Sequence, residues 1–129
     1  MTDQSQKRLF SVGLEAFFNI AKAWGLNTEQ EAILLGGPAP PTFSSWKTDP
    51  TSCEFNKETL ERLSYILGIY KALRILLPEQ AAADGWVKQA NSAEIFGGQS
   101  ALDRMLSGNV SDLAVVRRYL DAMHYDESV

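Results

Sequence analysis

The residues of this chain that could do chemistry are few and lie far apart in the sequence. Cys53 is its one cysteine and His124 its one histidine, so an internal disulfide is excluded and a zinc site lacks its usual ligands. Acidic residues occur in close pairs, such as Glu29 and Glu31, but helix capping or a solvated helix face explains them better than an acid–base couple. The sequence holds neither a P-loop nor a Ser-His-Asp arrangement. We therefore predict a protein that is not an enzyme and that needs no metal and no cofactor.

What the chain specifies most clearly is a pair of short helices with glycine turns near its C-terminus. Gly97-Gly98 interrupts the chain, and Ser100 with Asp103 has the spacing of a capping box for a short helix that Gly108 ends. Asn109 with Asp112 is the predicted cap pair of the last helix. The apolar stripe of that helix is Leu113, Val116, Leu120 and Met123. Helices with their own start and stop signals build a rigid docking surface, which favours a binding protein.

The charge of the chain limits its choice of partners. Its 129 residues carry a formal net charge of −4, and residues 84–129 hold seven acidic against four basic residues. An acidic surface favours basic partners and repels phosphate. We therefore expect DNA binding by the chain alone to be weak and sensitive to salt.

The composition is that of a globular protein, with 45% hydrophobic and 22% charged residues. The sequence has no run of about 18 apolar residues that could span a membrane. Its polar N-terminus lacks the apolar core of a signal peptide, and a single cysteine fits a reducing compartment. We expect a cytoplasmic protein without membrane contact.

Helical periodicity runs through most of the chain and predicts an all-α fold of about seven helices. Apolar residues recur at the spacing of an amphipathic helix over residues 5–24. Thr28 with Glu31 predicts the capped start of a second helix. No segment alternates strictly between apolar and polar residues as a half-buried strand does. We predict a helix-turn-helix domain at residues 1–77 and a smaller helical domain at residues 78–129.

Two of the N-terminal helices have the dimensions of a helix-turn-helix, in which the second helix enters the major groove of DNA. Its turn is Gly36-Gly37, and its second helix covers residues 41–47. Small hydroxyl groups and one cation could contact phosphates or base edges there. The candidate DNA-binding residues are Thr42, Ser44, Ser45 and Lys47. The alternative is a helical hairpin that only packs, with Phe43 and Trp46 pointing inward.

Two features of the C-terminal segment have two interpretations each. Trp86, Phe96 and Tyr119 either fill a small core or leave part of the set exposed as an anchor for a partner. If the indole of Trp86 is core, its replacement by alanine should destabilise the fold by roughly 3–5 kcal/mol. The polar and acidic segment 125–129, beyond the last predicted helix, is either a frayed terminus or an acidic peptide that enters a basic cleft.

Several blocks of the sequence carry a family resemblance. They are Leu34-Leu35-Gly36, Trp46-Lys47, Thr59–Leu73, Trp86-Val87, Asn91, Phe96–Gly108 and Val116–Ala122. Together they resemble the Xre/MbcA/ParS family of antitoxins over nearly the whole chain, from about residue 10 to 123. The C-terminal blocks are specific to that family, whereas the N-terminal ones are ordinary for helix-turn-helix domains.

The resemblance implies an Xre-like N-terminal domain followed by a toxin-binding domain. It implies that the partner is a RES-domain toxin, an NAD-consuming enzyme whose active-site cleft the antitoxin occludes. It also implies that the complex represses its own operon by binding operator DNA, and we expect a homodimer. The toxin contacts that it implies are Phe96, Gly97, Gly98, Ser100, Arg104, Arg117, Tyr119, Asp121, Tyr125, Asp126 and Glu127. The alternative from another class is a stand-alone transcriptional regulator whose C-terminal helices serve only for dimerisation.

Overall fold

The computed structural model describes residues 2–52 and 56–128; residues 2, 3, 52 and 124–128 are described by their backbone alone. The helices are α1 (Thr2–Trp24), α2 (Thr28–Leu34), α3 (Pro40–Thr48), a short 3₁₀ helix (Pro50–Ser52), α4 (Lys57–Leu76), α5 (Gln80–Trp86), α6 (Ala101–Met105) and α7 (Val110–Ser128). Within the described ranges the only β-type pairing is an isolated bridge between Ala90 and Ser100. The predicted all-α fold is confirmed. None of the described helices is both long and apolar enough to cross a membrane.

The chain divides into two compact units, Met1–Leu67 and Gly68–Val129. The division falls inside α4, whose N-terminal half belongs to the first unit and whose C-terminal half belongs to the second. The sequence-based domain boundary, after residue 77, lies just beyond the end of this helix. A helix shared by two units shows no break in its periodicity, so a boundary of this kind leaves no mark in the sequence.

The first unit is built around the apolar stripe of α1, as its periodicity predicts. Phe10 and Phe17 are fully buried, and the ring of Phe10 packs edge-on against Trp46 of α3 at a centroid distance of 5.7 Å. Apolar side chains of α2, α3 and α4 complete this core: Leu34, Leu35, Phe43, Leu63 and Ile66. The core of the first unit is therefore formed by α1, α2, α3 and the N-terminal half of α4.

The start of α2 corrects one prediction. Its N-cap is Asn27 and not Thr28: Oδ1 of Asn27 accepts a hydrogen bond from the Gln30 amide (2.8 Å), and Oε1 of Gln30 accepts one from the Asn27 amide (3.0 Å). Glu31, expected in the capping box, is buried and forms an ion pair with Lys47 instead. The sequence allows two overlapping capping boxes, Asn27 with Gln30 and Thr28 with Glu31. The first one forms because Glu31 is buried and pairs with Lys47.

The second unit keeps the local signals that its sequence predicts. The Ser100 side chain accepts from the Asp103 amide (3.0 Å), and the Asp103 carboxylate accepts from the Ser100 amide (3.3 Å), so the capping box of α6 is confirmed. Gly108 follows α6 with a φ of +92°, a conformation that glycine adopts without steric cost. The apolar stripe of α7 is buried at Leu113, Val116 and Leu120, but Met123 is 37% exposed.

Two predictions for the ends of α7 are wrong. The side chain of Asp112 does not form a capping box with Asn109. Its amide donates to the Asn109 carbonyl (3.1 Å), while its carboxylate binds Arg104. At the other end, α7 continues to Ser128, so residues 125–128 are part of the helix and not a segment beyond it.

Candidate functional site

The second unit holds a cluster of three aromatic rings from three different segments. Trp86 ends α5, Phe96 lies in the loop before α6, and Tyr119 lies on α7. The centroid of Phe96 is 5.1 Å from that of Tyr119 and 6.0 Å from that of Trp86, and both contacts are edge-to-face. Trp86 and Tyr119 stack with an interplanar angle of 21°. Phe96 is buried, whereas Trp86 and Tyr119 are partly exposed.

This burial pattern combines the two interpretations of the cluster. Phe96 is a core residue, and it supports two rings whose outer parts reach solvent. A partly exposed tryptophan and tyrosine held by a buried ring match the rigid aromatic anchors found at protein interfaces. Because Trp86 is not fully buried, its truncation should cost less than the loss of a core indole.

A tightly hydrogen-bonded turn precedes α6. Gly97 and Gly98 have φ values of +56° and +87° and are exposed. The Gly98 amide donates to the Asn91 carbonyl (3.0 Å), and the Asn91 amide donates to the Gln99 carbonyl (3.0 Å). The loop is therefore closed on itself and presents its glycine backbone at the surface. Ser100, by contrast, is buried and uses its side chain as the N-cap of α6.

Arg104 of α6 joins three segments of the unit. Its Nε donates to Oδ1 of Asp112 on α7 (2.7 Å), and its Nη1 donates to the carbonyl of Ile95 in the loop (2.7 Å). The Asp112 side chain is only 11% exposed. The family resemblance implies Arg104 as a toxin contact, and the sequence predicted neither of these two acceptors. In the free chain this guanidinium holds the aromatic loop to α6 and α7.

The exposed face of α7 carries an ion pair and a contact that sequence reasoning missed. Arg117 Nε lies 3.2 Å from a carboxylate oxygen of Asp121, as the i,i+4 spacing predicts. The same guanidinium rests on Gly68 of α4, where an added Cβ would meet Nη1 of Arg117. The signal for this contact is a glycine in the middle of a helical pattern, which is unfavourable and needs a packing reason.

Comparison with known proteins identifies the unit that carries these features. Residues 72–125 match the family model described as the antitoxin Xre/MbcA/ParS C-terminal toxin-binding domain. The chain belongs to the Xre/MbcA/ParS antitoxin family. It is also 48% identical over 109 residues to a protein of Sinorhizobium fredii named uncharacterized protein y4oB. The aligned region covers 84% of this chain and 81% of that protein. No solved structure matches the chain.

The family assignment gives this antitoxin a role in a toxin–antitoxin system and a toxin as its partner. The matched range contains the aromatic cluster, the glycine turn, α6 and most of α7. Of the residues that the resemblance implies as toxin contacts, the described side chains all lie in this one unit. Those of Tyr125, Asp126 and Glu127 lie outside the side chains that the structure describes.

The candidate DNA-binding residues of the antitoxin lie on α3, outside the matched range. Thr42, Ser44 and Ser45 are exposed, while Phe43 and Trp46 are buried, so α3 packs through one face and presents hydroxyl groups on the other. Lys47 is less available, since its Nζ lies 2.8 Å from Oε1 of the buried Glu31. Its ammonium group also lies 5.9 Å and 6.0 Å from the ring centroids of Phe18 and Phe43.

Proposed function

We propose that this antitoxin neutralises a RES-domain, NAD-consuming toxin by covering the active-site cleft with its second unit. The observation that carries the proposal is the match of residues 72–125 to a toxin-binding domain. The geometry supports it: the aromatic cluster, the closed glycine turn and the Arg104 contacts form a surface that exists before binding. A preformed surface loses little conformational entropy on association, which favours tight inhibition.

Charge also supports this choice of toxin. A cleft that binds the pyrophosphate of NAD must present positive charge or backbone N–H donors. Residues 84–129 of the antitoxin hold seven acidic against four basic residues, which suits them to cover such a cleft. Within this segment, Asp126 and Glu127 are the residues whose carboxylates we expect to compete with the phosphates of the dinucleotide.

Deleting residues 124–129 tests this part of the proposal. We expect the shortened antitoxin to bind its cognate RES-domain toxin but to leave measurable NAD consumption, because steric cover by α6 and α7 remains while the competing carboxylates are gone. NAD turnover at saturating antitoxin measures the effect. Asp126→Asn with Glu127→Gln is the matched control, since it removes the charges and keeps the length of the helix. Full inhibition by the shortened chain would leave the helices as the sole inhibitory element.

We further propose that the toxin–antitoxin complex represses its own operon through α3. The support is the exposed row of Thr42, Ser44 and Ser45 beside a buried packing face. The first unit also exposes Leu9 and Val12 of α1 to 58% and 56%, and apolar side chains this exposed suit the homodimer that a two-fold operator requires.

Replacing Thr42, Ser44 and Ser45 together by alanine should weaken operator binding by the complex by roughly tenfold or more, since each good base contact is worth about 1–3 kcal/mol. A mobility-shift titration, with and without toxin, measures the operator affinity. Comparing operators with one and two half-sites in the same titration shows whether the protein binds as a homodimer. NAD-consumption inhibition should be unchanged, which controls for folding. Tight operator binding by the antitoxin alone, with no toxin bound, would favour a stand-alone regulator instead.

A further inference from the structure

Gly68 stands where a helix has no local use for glycine. It lies in the interior of α4 (Lys57–Leu76), and glycine in a helix interior destabilises the helix relative to alanine. The backbone conformation does not require glycine at this position, because the φ angle of Gly68 is not positive. The reason has to be the space above its Cα.

That space is occupied by the guanidinium of Arg117 from α7, in the same unit. A Cβ added to Gly68 would overlap Nη1 and Cζ of Arg117 and would lie 2.9 Å from its Nε. The guanidinium therefore lies directly on the backbone of α4. Any side chain at position 68 displaces it, and the displacement is easy because these atoms end a flexible side chain.

A second contact restricts the same group. Asp121, one turn further along α7, accepts a hydrogen bond from Nε at 3.2 Å. Between the α4 backbone and this carboxylate the guanidinium is held in one orientation, yet 37% of the Arg117 side chain remains exposed. A planar guanidinium in a fixed orientation matches the geometry of a carboxylate far better than a mobile cation does.

Stability does not account for this arrangement. A half-exposed i,i+4 ion pair contributes little to folding, and an interior glycine detracts from it. Arg117 lies within the toxin-binding range 72–125, whereas Gly68 precedes that range and is the first residue of the second compact unit. The two residues together are best explained by recognition.

We propose that Gly68 is a positioning residue, which seats the Arg117 guanidinium on α4 so that it recognises a carboxylate of the toxin. This inference rests on the proposed toxin-binding function. It assigns to the toxin-binding surface a residue that lies before the matched domain. It also predicts that the partner surface opposite Arg117 is acidic at that point, although the antitoxin as a whole suits a basic cleft.

The test is a double-mutant cycle on the intact 129-residue antitoxin, with a cognate RES-domain toxin as the probe. Gly68→Ala should lower the affinity about tenfold while the melting temperature stays equal or rises, because alanine favours the helix. Arg117→Ala should lower the affinity to a similar extent, and the double variant should bind no more weakly than Arg117→Ala alone. Arg117→Lys should not restore binding, since lysine keeps the charge but lacks the planar fork.

Arg118, the exposed neighbour on α7, provides the matched control. The effects of Gly68→Ala and Arg118→Ala should simply add. A second readout needs no toxin: the Nε–H resonance of Arg117 should exchange slowly with solvent in the wild-type chain and rapidly in Gly68→Ala.

The outcomes separate the two proposals. Wild-type affinity of Gly68→Ala, or losses that add in the double variant, would overturn the role of Gly68 and leave the toxin-binding function intact. A wild-type chain that binds no RES-domain protein would overturn the proposed function together with this inference. A lower melting temperature without a change in affinity would reduce Gly68 to a packing residue.

Discussion

Replacing Phe96 by alanine is expected to destabilise the second unit by roughly 3–5 kcal/mol and to abolish toxin binding. The ring is 4% exposed and contacts both Trp86 and Tyr119, so its removal leaves a cavity under these two partly exposed rings. Without that support the aromatic anchor loses its fixed geometry. Urea denaturation of the full-length chain measures the free energy of unfolding, and calorimetric titration with toxin measures the affinity.

Trp86→Ala is the matched comparison for this prediction. The indole belongs to the same cluster but is partly exposed, so its truncation should cost only about 1–3 kcal/mol, below the range for a buried aromatic residue. Its effect on toxin affinity should nevertheless be large, because partly exposed tryptophans are common binding hot spots. Equal losses of stability from the two variants would contradict the assignment of Phe96 as core and Trp86 as surface.

Arg104→Ala is expected to lower the free energy of unfolding by about 2–4 kcal/mol, because it leaves a buried carboxylate without its cation. Asp112 is 11% exposed at its side chain, and Arg104 Nε is its ion-pair partner at 2.7 Å. Among the described residues its other carboxylate oxygen, Oδ2, is buried without a hydrogen-bond partner. The Ile95 carbonyl also loses its bond to Arg104 Nη1. We place the effect below that of a fully buried pair, since Arg104 is 34% exposed.

The double variant Arg104→Ala with Asp112→Ala checks the mechanism. Removing both partners takes away the unpaired buried charge, so the double variant should be more stable than Arg104→Ala alone. Arg118→Ala on the exposed face of α7 is the control and should change stability by less than about 0.5 kcal/mol. A double variant that is as unstable as the sum of its parts would show that Asp112 is stabilised by groups other than Arg104.

Both variants test one physical requirement of an antitoxin. A chain that inhibits by covering a cleft must hold its contact surface in one shape, because every group ordered during binding subtracts from the affinity. In this antitoxin the buried ring of Phe96 and the guanidinium of Arg104 both help to hold that surface. Damage to either should therefore lower stability and toxin affinity together, whereas Gly68→Ala is expected to separate the two.

Much of the helical architecture could be predicted from the sequence, because its signals are local. The stripe of α1, the capping box between Ser100 and Asp103, and Gly108 after α6 all act within a few residues of one another. Even the ion pair between Arg117 and Asp121 is a consequence of helical spacing. The family resemblance likewise depended on the residue order of the C-terminal blocks, and the match over residues 72–125 confirms it.

Only the tertiary structure decided which partners the buried carboxylates of Glu31 and Asp112 take. The sequence predicts Asp112 and Glu31 as capping residues. In the structure Asp112 forms an ion pair with Arg104, and Glu31 forms one with Lys47. In each case a buried carboxylate gains more from a cation than from a helix cap, and that cation is eight or sixteen residues away along the chain. The contact between Gly68 and the Arg117 guanidinium likewise depends on packing between α4 and α7. Helical periodicity determines which face of a helix is buried, but packing between helices determines what a charged group on that face meets.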